Sequence, residues 1–125
     1  MKDLIIVLTV IIIIFVPGYY TQKYLEKSGA EIIEIVEELK EEIRNDNMEN
    51  FNKIEKLRIM WIKEQDWWNI LSNHQNTDEV QREIQKLVTN YENKEKMDAL
   101  INLTEIKSII EDVPKGEGIL LVNIL

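Results

Sequence analysis

Apolar residues are distributed in two ways along the chain. Leu4 to Val16 is an unbroken run, apolar at every position except Thr9. From Leu25 onward, apolar residues instead recur between charged ones at helical spacing. Ile32, Val36, Leu39 and Ile43 stand at i, i+4, i+7 and i+11, one stripe on a helix. Phe51, Ile54, Leu57, Trp61, Trp68 and Leu71 form a second stripe, widened by Ile59, Ile62 and Ile70. Val80, Ile84, Leu87 and Tyr91 form a third, and Met97, Leu100, Leu103, Ile106 and Ile110 a fourth. The pattern predicts an all-α fold: an N-terminal transmembrane helix followed by a small antiparallel helical bundle, since short connections favour antiparallel neighbours.

Polar residues mark the expected boundaries. Ser28-Gly29-Ala30-Glu31 matches a capping box, which satisfies free amides where a helix starts. Leu25 lies one heptad before Ile32, which equally fits a helix running on unbroken from the apolar segment. Asn45-Asp46-Asn47 breaks the first stripe, and Asp46 with Glu49 can cap the next helix. That helix should end near Asn73 to Asn76, with Asn76 to Glu79 as another cap, and Asn93 marks a turn. The last stripe should stop before Pro114, because proline disfavours helical backbone at the residue preceding it. The division is then a membrane anchor at 1–27, a helical bundle at 28–118 and an apolar tail at 119–125.

The 13-residue run from Leu4 to Val16 is short for a membrane. At 1.5 Å per residue it covers roughly 20 Å, against about 30 Å of hydrocarbon. Pro17 to Leu25 supply the missing length, with Tyr19, Tyr20 and Tyr24 suited to the far interface and Lys23 and Lys27 able to reach past it. The rival is a cleaved signal peptide, since Ser28-Gly29-Ala30 has small residues at the cleavage-relevant positions. About a dozen residues, three of them tyrosines, separate the run from that site, which favours an uncleaved signal-anchor. Lys2 is offset by Asp3, so the positive-inside count is nearly balanced; the preferred topology puts the soluble domain outside the cytoplasm.

Charge and composition narrow the partners. Lys plus Arg is 15 and Asp plus Glu is 23, a net −8. From Gly29 onward there are 12 basic and 21 acidic residues, so the excess lies in the soluble part. Such a surface repels nucleic-acid phosphates and anionic headgroups, and no nucleic-acid partner is expected. There is no cysteine, so no disulfide, thiolate nucleophile or cysteine metal site can form.

Few residues offer chemistry. His74 is the sole histidine; with Asp78 and Glu79 it forms a weak candidate metal set, and a histidine engaged at a helix end is the favoured alternative. Trp61 and Trp68, seven apart, share a helix face and should be core; Trp67 points about 100° away and should be exposed. Glu37, Glu38, Glu41 and Glu42 lie opposite Ile32, Val36 and Leu39 and should form a solvated face. No glycine-rich phosphate loop, metalloprotease helix motif or catalytic serine arrangement is present. No catalytic residue and no cofactor are therefore expected, and the chain is not expected to be an enzyme. Ile119 to Leu125 are aliphatic at six of seven positions. Such a segment needs a cover, either a groove between the helices (the favoured reading) or a partner protein that Ile124 and Leu125 would help to bind.

Trp61-Ile62-Lys63, then Trp67-Trp68, Asn73-His74 and the final Asn123-Ile124-Leu125 together resemble a family of short bacterial proteins known as domain of unknown function 4363. The resemblance runs over nearly the whole chain. It implies a membrane-anchored helical protein of Gram-positive bacteria, brings no activity and therefore no catalytic residue, and supports a fixed structural role for His74. The expected function is a membrane-tethered helical accessory module, contacting the bilayer through Leu4 to Tyr20 and binding a protein partner or a second copy of itself. The alternatives are an extracytoplasmic ligand-sensing bundle with a pocket near the tryptophans, and a secreted helical protein released by signal-peptide cleavage.

Overall fold

The computed structural model describes the backbone of residues 1–124 and the side chains of residues 1–114. It contains four helices and, among the described residues, no strand: α1 (Lys2–Arg44), α2 (Asn52–Leu71), α3 (His74–Glu92) and α4 (Lys96–Ile124). Two boundaries differ from those the sequence suggests. Ser28 opens no helix. α1 runs through it without a break, and the Ser28 hydroxyl donates to the Tyr24 carbonyl one turn back at 2.9 Å. A capping box scores only local residue types, and the burial of Leu25 at one heptad from Ile32 decides for continuity. Likewise α4 continues past Pro114. Proline removes one N–H donor and crowds the preceding turn, a penalty that neighbouring turns can outweigh, and Pro17 is accommodated inside α1 in the same way. The expected fold-back of Ile119 to Leu125 concerns side chains outside the described residues.

The caps also differ in detail. Asn73, rather than Asn76 to Glu79, caps α3: its side-chain oxygen accepts from the Gln75 amide at 2.9 Å. Before α2, Asn50 Oδ1 accepts from the Asn52 amide at 2.9 Å. Asp46, expected to cap α2, instead sits at φ 60° and receives Lys96 Nζ at 2.8 Å. Asn93 ends α3 as expected, followed by Lys94 at φ 56°.

Side-chain contacts fix the helix directions. Lys53, at the start of α2, reaches Glu42 near the end of α1, whereas Trp68, near the end of α2, bonds Ser28. α2 therefore runs back along α1. α4 does the same on another side: Lys96 Nζ reaches the Arg44 carbonyl, Lys107 pairs with Glu37, and Ile110 lies against Gly29. The core contains the stripes of all four helices, from Leu25, Ile32, Val36 and Leu39 through Leu57, Trp61 and Trp68 to Ile84, Leu87 and Tyr91. On α4 the buried row is Ala99, Leu103, Ile106, Ile110 and Val113. Met97, assigned to that stripe by spacing, is 69% exposed, whereas Ala99, about 200° further round the helix, is buried.

Gly29 marks a close approach of three helices. A Cβ there would stand 3.2 Å from Ile110 Cγ2 and 3.7 Å from the Trp68 ring. Trp68 is 1% exposed and its indole nitrogen donates to Ser28 Oγ at 3.0 Å. That hydrogen bond satisfies a donor that burial would otherwise leave unpaired, at a cost of about 1–3 kcal/mol.

Candidate functional site

α2 presents two faces. Ile54, Leu57, Trp61 and Trp68 are buried, whereas Ile59, Ile62, Trp67 and Ile70 are largely exposed. The exposed aliphatics are the residues that widened the stripe in the sequence; the helix is apolar over more of its circumference than α1 and α3 cover. Lys56, Arg58 and Lys63 share this outer side. Glu55 and Asp66 stand among them, and Arg58 pairs with Glu55 at 2.6 Å, so the outer side of α2 is apolar with mixed charge.

Two grooves border this flank. One, of about 460 Å³, lies between α2 and α3 and is lined by Arg58, Trp61, Ile62, Ile84, Gln85 and Val88 among others. The second, of about 530 Å³, lies toward α1 and is lined by Glu31, Glu55, Lys56, Ile59, Lys63 and Glu64 among others. Both fall in the size range of small-molecule sites, roughly 300–1,000 Å³. Trp61 contributes an unusual feature: its indole nitrogen is buried and has no hydrogen-bond partner among the described residues. The Trp68 ring lies 6.1 Å away between centroids, and its indole, a donor only, offers no lone pair to accept from it.

The residues singled out by sequence are not gathered at one place. Trp61 and Trp68 are core and Trp67 is 56% exposed, its ring edge-on to Tyr24 with centroids 6.4 Å apart. His74, Asp78 and Glu79 lie exposed on the first turns of α3. His74 stands at a helix N-terminus, where amides rather than carbonyls are free. Among the described residues, no group of three or more His, Asp or Glu side chains is placed to hold a metal ion. Ile124 and Leu125 lie outside the residues whose side chains are described.

The acidic row on α1 is more engaged than a solvated face. Lys53 of α2 pairs with Glu42 at 2.8 Å and Glu38 at 3.6 Å, and Lys107 of α4 pairs with Glu37 at 2.8 Å. The Lys107 ammonium holds the Glu37 carboxyl below its ordinary range, and Glu42 raises Lys53 above its own. These lysines come from helices distant in sequence, so no local pattern on α1 could announce them. Polar bonds also join α3 to α4: Asn102 is buried, donating to Glu83 at 2.9 Å and accepting from Asn90 at 2.7 Å.

Within α1, one stretch is long and apolar enough to cross a membrane, and none of that window is buried against protein. Thr9, the polar residue in the run, donates to the Ile5 carbonyl at 2.7 Å, so its hydroxyl is satisfied within the helix.

This is a class of protein defined by four packed helices, the first bearing an apolar extension that no other helix covers. The chain belongs to the family described as Domain of unknown function (DUF4363), whose model matches residues 19–124. The match covers all of α2 and α3 and opens beyond the Leu4 to Val16 run. No curated protein and no solved structure matches the chain.

Proposed function

We propose that this protein is a membrane-tethered interaction module: α1 crosses the bilayer once, the packed helices stand outside the cytoplasm, and the outer face of α2 receives an acidic amphipathic helix of another membrane protein. The observation that carries the reading is the coincidence of two uncovered apolar surfaces on one chain. Leu4 to Val16 is exposed along its whole length, at 39–63% for its large residues. In water that exposure would forfeit about 25 cal/mol for each Å² of apolar surface left unburied. A bilayer covers it, and the internally satisfied Thr9 hydroxyl suits a medium without water.

The second surface lies on the soluble part. Exposed Ile59 and Ile62, with Lys56 and Lys63 beside them and Arg58 held by Glu55, suit a partner helix with aliphatic anchors and carboxylates placed to meet the two lysines. The net acidic charge of the rest of the chain disfavours such a partner there, which favours docking on α2. A photoreactive group on Ile62→Cys, in a chain that otherwise lacks cysteine, tests this in native membranes. Cross-linking should be lost when Lys56 and Lys63 are both changed to Glu. Retention of the same product, or a product of twice the chain mass, would overturn the assignment, the latter in favour of a second copy.

A second reading rests on Trp61. Its unpartnered indole donor beside the α2–α3 groove favours a small ligand with an apolar body and a hydrogen-bond acceptor. A retained small molecule in detergent-purified protein, lost in Trp61→Phe, would support that reading over the first.

A further inference from the structure

The two ends of the helical stack differ. The end far from the apolar run is closed by its own side chains: Tyr91 donates to the Asn50 carbonyl at 2.9 Å, Phe51 packs edge-on against Tyr91, and Met48 is buried. The end nearer the run is open and aromatic. Tyr19, Tyr20, Trp67 and Ile70 are exposed at 59%, 67%, 56% and 72%. Trp67 and Ile70 at the end of α2 are more exposed than Phe51 at its beginning, which is 38% exposed and packed against Tyr91.

Their height relative to the bilayer follows from helix geometry. The 20 residues from Leu4 to Lys23 cover about 30 Å, the thickness of the hydrocarbon layer, so its far boundary falls near Lys23. The Trp67 ring stands against Tyr24, one residue beyond that boundary. α2 runs back along α1, so Ile70 lies about 4.5 Å closer to the membrane than Trp67. Trp67 therefore stands in the headgroup zone, roughly 5–8 Å deep on each side, and Ile70 reaches about 3 Å inside the hydrocarbon boundary.

We propose that Trp67 and Ile70, together with Tyr19, Tyr20 and Tyr24, form a collar that seats the helices on the lipid surface, making the end of α2 a second, peripheral membrane contact beside the crossing helix. The inference rests on the reading of α1 as a membrane helix. Amphipathic aromatic rings favour this depth, where the ring is in lipid and the polar tip is hydrated. Lys23 Nζ, 5.6 Å from the Tyr19 ring centroid, supplies a cation at the same level. α4 is descending toward this end where Pro114 lines a groove with Gln22, Leu25 and Glu26, and the sequence beyond it carries the aliphatic residues of 119–125. The collar fixes the orientation of the outer α2 face relative to the bilayer: Ile62 is held about 12 Å above Ile70, beyond the headgroups and accessible to a partner.

The test uses full-length protein in phosphatidylcholine vesicles with single cysteines, labelled with an environment-sensitive fluorophore at Val10, Ile62 or Ile70. Spin-labelled lipid and aqueous iodide serve as quenchers. At Ile70, emission should be lost to a spin label near the headgroup and spared by iodide; at Ile62 the pattern should reverse; at Val10 only a deep spin label should quench. Iodide quenching at Ile70 equal to that at Ile62, with Val10 still lipid-quenched, would overturn the collar and leave the anchor intact. Shielding of Ile70 from both quenchers would overturn it in favour of a protein cover. A Val10 label open to iodide would overturn the anchor and the collar together. The native ring gives a label-free readout: brominated lipid should reduce tryptophan emission in the wild type, and Trp67→Phe should abolish that loss, since Trp61 and Trp68 are buried. Quenching unchanged in Trp67→Phe would count against the proposal.

Discussion

Ser28→Ala is a sharp test of the packing at the centre of the molecule. Ser28 Oγ is the acceptor for the buried Trp68 indole N–H and itself donates to the Tyr24 carbonyl. Removing the hydroxyl leaves the indole donor buried and unpaired, which costs about 1–3 kcal/mol. The Tyr24 carbonyl keeps its place in the helix, and alanine gains at most about 0.7 kcal/mol in helix propensity, so the net effect remains destabilising. In a Trp68→Phe background no donor remains to be orphaned, and Ser28→Ala should be neutral to slightly stabilising. The predicted coupling between the two positions is therefore about 1–3 kcal/mol, within the range for residues in direct contact. The cavity left by the smaller ring cancels in the cycle. Thermal unfolding followed by circular dichroism in detergent micelles resolves the difference, since 1 kcal/mol corresponds to about 4–8 °C for a domain of about this size. Equal destabilisation by Ser28→Ala in both backgrounds would refute the hydrogen bond as the source of the effect.

Gly29→Val should destabilise by about 1–3 kcal/mol through overpacking against Ile110 and Trp68, whereas Gly29→Ala should lie close to neutral, its contact with Ile110 offset by up to about 1 kcal/mol of helix propensity; urea midpoints of the two variants compare them directly. Glu37 has a lowered pKa because Lys107 favours its ionised form. Its contribution is accordingly present above the ordinary carboxylate range and lost as pH falls through the lowered value. Glu37→Gln should flatten that acid limb, and raised salt should shrink the difference, because the pair is partly solvated. A limb of unchanged slope in the variant would show that other carboxylates carry it.

The helices themselves were written in the apolar spacing, because one stripe per helix is enough to bury each against the others. Leu25, Ile32, Val36, Leu39 and Ile43 are all buried, as are Val80, Ile84, Leu87 and Tyr91. The split between Trp68 and Trp67 follows from the 100° that separates adjacent residues on a helix. Ends were less legible. The same serine can cap a helix or bond inside one, and the burial of Leu25 together with the remote Trp68 decides for Ser28. Met97 and Ala99 illustrate a related problem, since which row is buried depends on where the neighbouring helices lie. The candidate site was hardly legible at all. The α2–α3 groove joins residues 58–62 to 81–92, and the ion pairs of Glu37 and Glu42 draw on lysines from two other helices. Such pairings depend on tertiary placement, to which local periodicity is blind.

Membrane tethering through α1 is the central claim, and fractionation of the full-length protein tests it most directly. Membranes prepared from cells expressing the chain are washed in alkaline carbonate, and the pellet and supernatant are compared by mass spectrometry. The account predicts intact protein, with Leu4 to Val16 still attached, retained in the pellet and extracted only by detergent. Intact protein released into the supernatant, or a product beginning near Ala30, would contradict it.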